Sequence, residues 1–326
     1  MALQLGARSL EAFERFGERP GHDIDLSQPG YLFLLTTPDD VSTFEQSVSL
    51  QNELGVPSRM LSAAEAQRLS PWIETGDVLA AAFSPTDGHC TPESVVLGYA
   101  TAARRLGARV LPHRAVTGIE LGGSDGRQVT AVTTAQGRIE TSTVICTAGA
   151  WSRQVGELAG VELPVEPYRR QIVVTEPVPD VPPGLPMTID FTSTFYFHRE
   201  GPGLLMGMTD PDETAGFKLD RSDDWLPRLT EAIERRAPRI LDIGLSTGWA
   251  GLYEVTPDHN AIIGESHDVG RFLYATGFSG HGFLMGPAVG EVLRDLYLGR
   301  TPFVDVSPLD VRRFTTSGLR PEVNCI

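Results

Sequence analysis

The chain has 326 residues, 41% of them hydrophobic and 21% charged, so it can bury a sizeable core and form two intertwined domains. Its formal net charge of −15 excludes nucleic acid and anionic membrane surfaces as partners, because both would repel it. The three cysteines, Cys90, Cys146 and Cys325, provide neither a disulfide framework nor a metal-binding spacing, which is typical of a reducing cytoplasm.

The first part of the chain predicts mainly helices with a few short strands. Residues 1–19 predict an amphipathic helix without the cationic start and apolar centre of a signal peptide. A strand and a helix follow over 31–54, and Ser62 begins a capping-box sequence for a further short helix. A longer helix is predicted over 92–106, with Thr91 as its N-cap. No stretch is long and apolar enough to span a membrane, so we expect a cytoplasmic protein.

The middle of the chain carries more strands and more prolines. Residues 110–145 are rich in strand-forming residues separated by glycine turns. Prolines cluster over 177–186, which indicates an irregular connection. Two short strands are predicted after it, at 194–199 and 204–208.

The segment Gly-Phe-Ser-Gly-His-Gly-Phe at 277–283 lies between a predicted buried strand at 271–276 and an amphipathic helical run that Pro287 opens. Its three glycines permit positive φ angles and a close approach of the backbone to a ligand. The N–H groups and the dipole of the following helix favour a flat ring with negative charge on one edge. By pattern alone, a tight packing loop is the commoner explanation.

Two further segments accompany this loop: Trp-Ala-Gly-Leu-Tyr-Glu-Val-Thr-Pro-Asp at 249–258 and Val-Ile-Cys-Thr-Ala-Gly-Ala-Trp-Ser at 144–152. Together the three segments resemble the D-amino-acid oxidase superfamily of flavoproteins, in particular its sarcosine oxidase-like and dimethylglycine dehydrogenase-like branch. The resemblance implies an α/β fold. A glutathione-reductase-like FAD-binding domain would be interleaved with a substrate domain built on a mixed or antiparallel sheet.

The resemblance also implies where the two domains lie. The FAD-binding domain would comprise residues 85–160 and 245–326. The substrate domain would comprise residues 20–84 and 161–244, after the N-terminal helix at 1–19. Each domain would therefore be built from two separate stretches of chain.

A flavoprotein of this superfamily would begin with a strand, a Gly-x-Gly-x-x-Gly turn and a helix, and this sequence shows no such segment. The nearest match, Gly201-Pro202-Gly203, is predicted to be a hairpin turn between two strands. The chain therefore resembles a member that lacks its N-terminal dinucleotide-binding segment, and its FAD-binding domain is expected to be incomplete. A mistaken start codon, a decayed gene and a second chain that supplies the segment are the open explanations.

The resemblance implies a non-covalent FAD and a set of residues that contact it. Gly251 or a neighbour stands where a relative carries its flavin-linking cysteine, so covalent attachment there is not expected. Val116 matches a position whose backbone meets the adenine, although it could equally be a core valine. The implied cofactor-binding residues are Val116, Ala148, Gly149, Trp151, Gly251, Gly277, Ser279, Gly280, His281, Gly282 and Phe283.

The implied catalytic residues are Tyr196, Tyr253 and His281, and the implied substrate-binding residues are Tyr196, Arg199 and Tyr253. In relatives an arginine at the position of Tyr253 clamps the substrate carboxylate, and a tyrosine cannot form that bidentate contact. Arg199 and His198 are candidate substitutes, although each could be a solvated residue at a strand end. His281 could instead serve only to bond a backbone carbonyl.

The implied reaction is oxidation of the C–N bond of a secondary or N-methyl amine or amino acid such as sarcosine, by hydride transfer to flavin N5. Oxygen and a separate electron acceptor are both open as the oxidant of the reduced flavin. The alternative is a non-catalytic remnant or an interaction subunit that completes another flavoprotein. No metal is expected, because His89 and Cys90 have no second pair of ligands beside them.

Overall fold

The computed structural model describes residues 1–315, 319 and 321–322, so Cys325 lies outside the described residues. The α-helices are α1 (Ala2–Glu14), α2 (Pro38–Glu53), α3 (Ala63–Leu69), α4 (Pro92–Arg105), α5 (Ser152–Glu157), α6 (Leu226–Arg236) and α7 (Gly282–Tyr297). The strands are β1 (Tyr31–Leu35), β2 (Arg59–Leu61), β3 (Ala80–Ser84), β4 (Val116–Gly122), β5 (Gln128–Thr134), β6 (Gly137–Glu140), β7 (Val144–Cys146), β8 (Glu166–Thr175), β9 (Met187–Asp190), β10 (Tyr196–Glu200), β11 (Gly203–Gly207), β12 (Leu245–Val255), β13 (Ile262–Glu265) and β14 (Phe272–Thr276).

An eight-stranded sheet in the order β12-β8-β11-β10-β9-β1-β3-β2 is the largest element of the fold. Strands β1 and β9 run parallel and the other neighbours run antiparallel, which confirms the predicted mixed sheet. Strands β10 and β11 form an antiparallel hairpin, so the turn predicted at Gly201-Pro202-Gly203 is confirmed. The incomplete FAD-binding domain remains a prediction.

The two faces of this sheet differ in character. The register places Leu32, Phe197, Met206 and Val173 on one face, and all are buried against helices α3 and α6 in one apolar cluster. The opposite face is named the site face here, and its register brings together Tyr31, Arg170, Tyr196, Gly251 and Tyr253. One face therefore stabilises the domain, and the other is available to a ligand.

A smaller sheet has the order β13-β14-β7, with β14 antiparallel to β13 and parallel to β7. All five residues of β14 are buried, as the apolar run predicted. Helix α7 packs on this sheet and on α1, and Leu5, Ala275 and Val292 lie in the cluster that joins them. A third sheet has the order β4-β5-β6, and its strands directly precede β7 in the sequence.

Helix α7 begins at Gly282, so the prediction that Pro287 opens the helix is wrong. The first-turn side chains of Phe283 and Leu284 are 43% and 44% exposed, which is why the apolar period becomes visible only further along. Pro287 removes one hydrogen bond from the helix interior. Ser9 of α1 accepts a bond from the adjacent Ala288 N at 3.1 Å, which ties this part of α7 to α1.

Thr91 lies at the predicted N-cap position of α4, but its hydroxyl does not cap the helix. The hydroxyl donates to Asp25 Oδ2 at 3.0 Å. Cys146 is 3% exposed and is confirmed as a core residue. No helix in the described part of the chain is long and apolar enough to cross a membrane. The described residues also hold no cluster of three or more metal-ligating side chains.

The capping box at Ser62 is confirmed and provides a test of stability. Ser62 Oγ accepts from Glu65 N at 3.3 Å, and Glu65 Oε2 accepts from Ser62 N at 2.8 Å. Replacing Ser62 by alanine should lower the free energy of unfolding by about 1 kcal/mol, because both N–H groups at the start of α3 depend on this pair. Denaturant unfolding measures the change. Ser124→Ala, in an exposed turn, is the control, and equal stability of the two variants would contradict the assignment.

Candidate active site

The loop 277–283 connects β14 to α7, and its backbone adopts left-handed φ angles that its glycines permit. Gly277 and Gly280 have φ angles of 70° and 102°, which lie in the left-handed region. A Cβ at Gly277 would lie 2.3 Å from Thr256 Cγ2, and a Cβ at Gly280 would lie 2.6 Å from Tyr253 Cε2. Glycine is therefore required twice in this loop, because the end of β12 passes directly against it.

The loop is held to β12 by a set of hydrogen bonds. Ser279 N donates to Glu254 O at 3.0 Å, and Phe278 N donates to Glu254 Oε1 at 3.3 Å. Thr256 N donates to Ser279 Oγ at 3.3 Å. Burial raises the pKa of the Glu254 carboxyl above its ordinary value. Sequence reasoning missed Glu254, although strand alternation does place it on the opposite side of β12 from Tyr253.

The N-terminus of α7 points into the same region. His281 is its N-cap residue, and no side chain caps the helix there. The N–H groups of the first turn and the positive end of the helix dipole are therefore available to an anionic or partly negative ligand. The His281 backbone N–H donates to Phe278 O at 2.9 Å, which closes the turn before the helix.

The predicted segment Ala148–Trp151 follows β7 and lies beside the loop. Thr276 Oγ1 at the end of β14 bonds Ser152 Oγ at 2.7 Å. A Cβ at Gly149 would lie 3.0 Å from Glu254 Oε2, so this segment touches the carboxyl that holds the loop. Ala148 precedes Gly149 at the carboxyl end of β7. The carboxyl ends of the parallel strands β7 and β14 thus meet at one edge, where open α/β sheets bind their ligands.

Trp151 and Val116 lie at the margin of this region. Trp151 is 49% exposed, and its ring packs against that of Phe217 at a tilt of 33°, with 5.3 Å between ring centroids. Val116 is the first residue of β4 and is 38% exposed, so the structure does not support its alternative role as a core valine.

Three tyrosines converge on the site face. Tyr196 and Tyr253 come from β10 and β12, and Tyr31, which sequence reasoning missed, comes from β1. Burial raises the pKa of Tyr31 to about 12 and also raises that of Tyr196, so both phenols are neutral near pH 7. Gly207 lies opposite Tyr196, and a Cβ there would lie 2.4 Å from the Tyr196 hydroxyl. The absence of a side chain at Gly207 therefore leaves room for the Tyr196 ring.

Tyr253 joins the two halves of the site, since its ring contacts Gly280 of the loop while its strand belongs to the large sheet. Gly251, two residues earlier, faces open space, because a Cβ at this position would meet no atom within 4 Å. Gly280 and Gly251 of the predicted cofactor set therefore lie beside Tyr253 of the predicted substrate set.

Arg199 is not brought to this place. Strand alternation puts it on the opposite face of the large sheet from Tyr196, and its Nε donates to Gly201 O at 3.2 Å. His198 shares the face of Tyr196 but bonds Arg199 O through Nδ1 at 2.8 Å. Burial lowers the pKa of His198 to about 4, so its ring is neutral near pH 7 and provides no cation for a carboxylate.

Comparison with known proteins adds family information to this geometry. A family model described as "DAO: FAD dependent oxidoreductase" matches residues 1–296. Mitochondrial sarcosine dehydrogenase of Mus musculus is 29% identical over 95% of this chain and 34% of its own length. Mitochondrial dimethylglycine dehydrogenase of Rattus norvegicus is 28% identical over 94% of this chain and 38% of its own length. The chain thus spans about a third of the length of these curated relatives.

Two solved structures extend the comparison to the fold. L-proline dehydrogenase from P. horikoshii is 31% identical and superposes with a TM-score of 0.89, over 97% of this chain and 84% of that one. Glycine oxidase from Geobacillus kaustophilus, at 24% identity and a TM-score of 0.83, covers 95% of this chain and 82% of its own. The second likeness shows the shared fold alone.

Proposed function

The chain belongs to the DAO family of FAD dependent oxidoreductases, and from this premise we propose that it oxidises the C–N bond of a secondary or N-methyl amine or amino acid. The observation that carries the proposal is the contact between Gly280, in the loop before α7, and Tyr253 on the site face. A cofactor edge and a substrate would be neighbours there. The relatives named for sarcosine and dimethylglycine support N-methyl amino acids as the substrate class.

The residues of the loop fit a non-covalent FAD. Helix α7 is uncapped, and its first-turn N–H groups would stabilise negative charge on the edge of a flavin ring. The positive φ angles of Gly277 and Gly280 keep side chains out of this space. Gly251 offers no side chain for a covalent bond. We propose that Ala148, Gly149 and the loop 277–283 contact the cofactor.

A bound FAD would supply the acceptor for a hydride equivalent from the carbon beside the amine nitrogen. The chain's own residues would bind the substrate, hold its C–H bond toward the loop and exclude water. The raised pKa values of Tyr31 and Tyr196 keep both phenols protonated, so they act as hydrogen-bonding groups rather than bases. A substrate amine in its neutral form can release hydride without a base, and water hydrolyses the imine that is produced.

The visible absorption spectrum of the purified chain, with and without added FAD, tests the proposal. We expect a bound-flavin spectrum that is lost when sarcosine is added without oxygen, because the substrate reduces the ring. Glycine, which has no N-methyl group, is the control for the secondary-amine requirement. A protein that shows no bound-flavin spectrum after FAD is added would contradict the claim that this chain alone is an enzyme. A bound flavin that neither sarcosine nor other N-methyl amines reduce would contradict the substrate class.

A second function, completion of a flavoprotein by another polypeptide, is supported by strand β7. This strand is the end strand of its sheet, and Ile145 at its centre is 41% exposed. An edge strand presents backbone N–H and C=O groups to which a further strand can pair. A designed strand–Gly-x-Gly-x-x-Gly–helix polypeptide provides the test. If it increases the FAD affinity of the chain, the second function is supported, and if affinity is unchanged, it is not.

A further inference from the structure

Arg170 on strand β8 is a half-buried cation whose environment differs from that of the chain's other buried arginines. Arg169, Arg236 and Arg313 have side chains at most 16% exposed, and each contacts a carboxylate at 2.7 or 2.8 Å. Within the described part of the chain, Arg170 has no such partner. Its Nη1 donates to the backbone oxygen of Arg169 at 3.1 Å, and its buried Nε has no hydrogen-bond partner.

An unsatisfied donor on a buried charged group is unfavourable, because it has lost its bond to water without gaining another. Such a group in a folded protein requires a physical explanation, and a bound anion is the one that fits a cation in a site. The missing acceptor at Arg170 should be anionic, because a carboxylate both fills the open position at Nε and balances the charge.

Arg170 lies within the proposed active site. The register pairs Arg170 with Gly251, where a Cβ would meet no atom within 4 Å. There is therefore room beside Arg170 for a small molecule. Its guanidinium carbon lies 5.2 Å from the centroid of the Tyr253 ring. The pKa of Tyr196 is raised by burial and is lowered to a smaller extent by the nearby Arg170 charge, so the guanidinium also lies near that phenol.

We propose that Arg170 binds the carboxylate of the substrate and so restricts this site to amino acids. The inference rests on the proposed function, because it names the substrate group that the same site recognises. Neutral phenols at Tyr31 and Tyr196 leave the positive charge of Arg170 uncompensated, which an incoming carboxylate corrects. The guanidinium stacked on Tyr253 is pre-oriented, so little side-chain entropy is lost on binding.

Calorimetric titration with methoxyacetate tests the inference on the full chain with added FAD. Methoxyacetate has the carboxylate and length of sarcosine but no amine to oxidise, and its methyl ester is the matched ligand without charge. We expect Arg170→Gln to weaken methoxyacetate binding by about tenfold to a hundredfold, because a charged hydrogen bond is lost. Arg170→Lys should lie in between, since it keeps the charge without the planar fork. Binding of the ester should be weak and nearly equal in all variants.

Two arginine variants complete the design. Arg199→Gln tests the competing residue, and Arg15→Gln, whose side chain is 73% exposed, controls for net charge. The inference is overturned if Arg170→Gln binds methoxyacetate like the unchanged chain, or if Arg199→Gln loses binding instead. The flavin spectrum and the melting temperature show whether each variant is folded.

The kinetics of sarcosine oxidation separate this inference from the proposed function. We expect Arg170→Gln to raise KM far more than it lowers kcat, since the carboxylate does not react. Oxidation of sarcosine with a KM that is unchanged in Arg170→Gln would overturn the inference and leave the function intact. Arg170-dependent binding of methoxyacetate by a chain that oxidises neither sarcosine nor other N-methyl amines would support the inference and contradict the function.

Discussion

Replacing Gly280 by alanine is expected to weaken FAD binding by about tenfold to a hundredfold, and turnover should fall with it. The backbone at this position has a φ of 102°, which a residue with a side chain adopts only under strain. The added Cβ would lie 2.6 Å from Tyr253 Cε2 and 3.1 Å from Cζ, so either the loop or the ring must move. Movement of the loop displaces the N–H groups at the start of α7, and movement of the ring changes the site face.

Gly290→Ala is the matched control for this substitution. Gly290 lies inside α7, and a Cβ there would meet no atom within 4 Å. Alanine at 290 should leave FAD affinity unchanged and increase the free energy of unfolding by about 0.5–1 kcal/mol, because glycine is unfavourable inside a helix. A visible-absorption titration measures affinity and denaturant unfolding measures stability. Equal FAD affinity of Gly280→Ala and the unchanged chain would show that the loop does not contact the cofactor.

The contrast between these two glycines illustrates how far the sequence predicts the site. Three glycines after an apolar strand and before a helical period are local features, so the loop, β14 and the presence of α7 were predictable. The start of α7 was not, because the exposed Phe283 and Leu284 hide the helical period there. The contact of Gly280 with Tyr253 joins separate segments, and no local pattern contains it.

The substrate side was less predictable because its residues are distributed over distant strands. Tyr31 and Tyr196 are brought onto one face by the pairing of β1 with β9 and of β9 with β10. This pairing depends on strand order, which alternation within one strand does not specify. Arg199 was chosen for its position in the chain near Tyr196, and alternation then places it on the other face. Arg170 gave no signal, since Arg169 and Arg170 are equivalent until their partners are known.

The fold follows the same division between local and distant information. Individual strands such as β10 and β11 agree with their sequence patterns to within one or two residues. The mixed sheet was inferred from family resemblance, because its parallel pair β1–β9 joins segments that are far apart in the chain. Loop closure over such a distance is unfavourable in entropy and must be offset by packing. The buried face of the sheet, beneath α3 and α6, provides that packing.

At the edge of that packed layer, Arg236 forms a buried polar network that we expect to control stability. Its side chain is 1% exposed, and its Nε donates to Asp190 Oδ2 at 2.8 Å. Its Nη1 and Nη2 donate to the two carboxylate oxygens of Asp77 at 2.8 and 3.1 Å, and Nη1 also donates to Glu74 O. One guanidinium thus joins α6 to β9 and to the loop before β3.

Replacing Arg236 by methionine should lower the free energy of unfolding by about 3–5 kcal/mol, because Asp190 would remain buried without its cation. Arg235→Met is the matched control on the same helix, since Arg235 is exposed, and its effect should stay within about 0.5 kcal/mol.

The bond to Arg236 holds the pKa of Asp77 below its ordinary value, so this carboxylate stabilises the fold above about pH 4. That contribution is lost as the pH falls through the lowered pKa and Asp77 takes up a proton. Urea unfolding from pH 7 downward should therefore show the difference between the Arg236→Met variant and the unchanged chain becoming smaller in acid. A difference that is absent at pH 7, or equal to that of Arg235→Met, would mean that Arg236 does not hold these elements together.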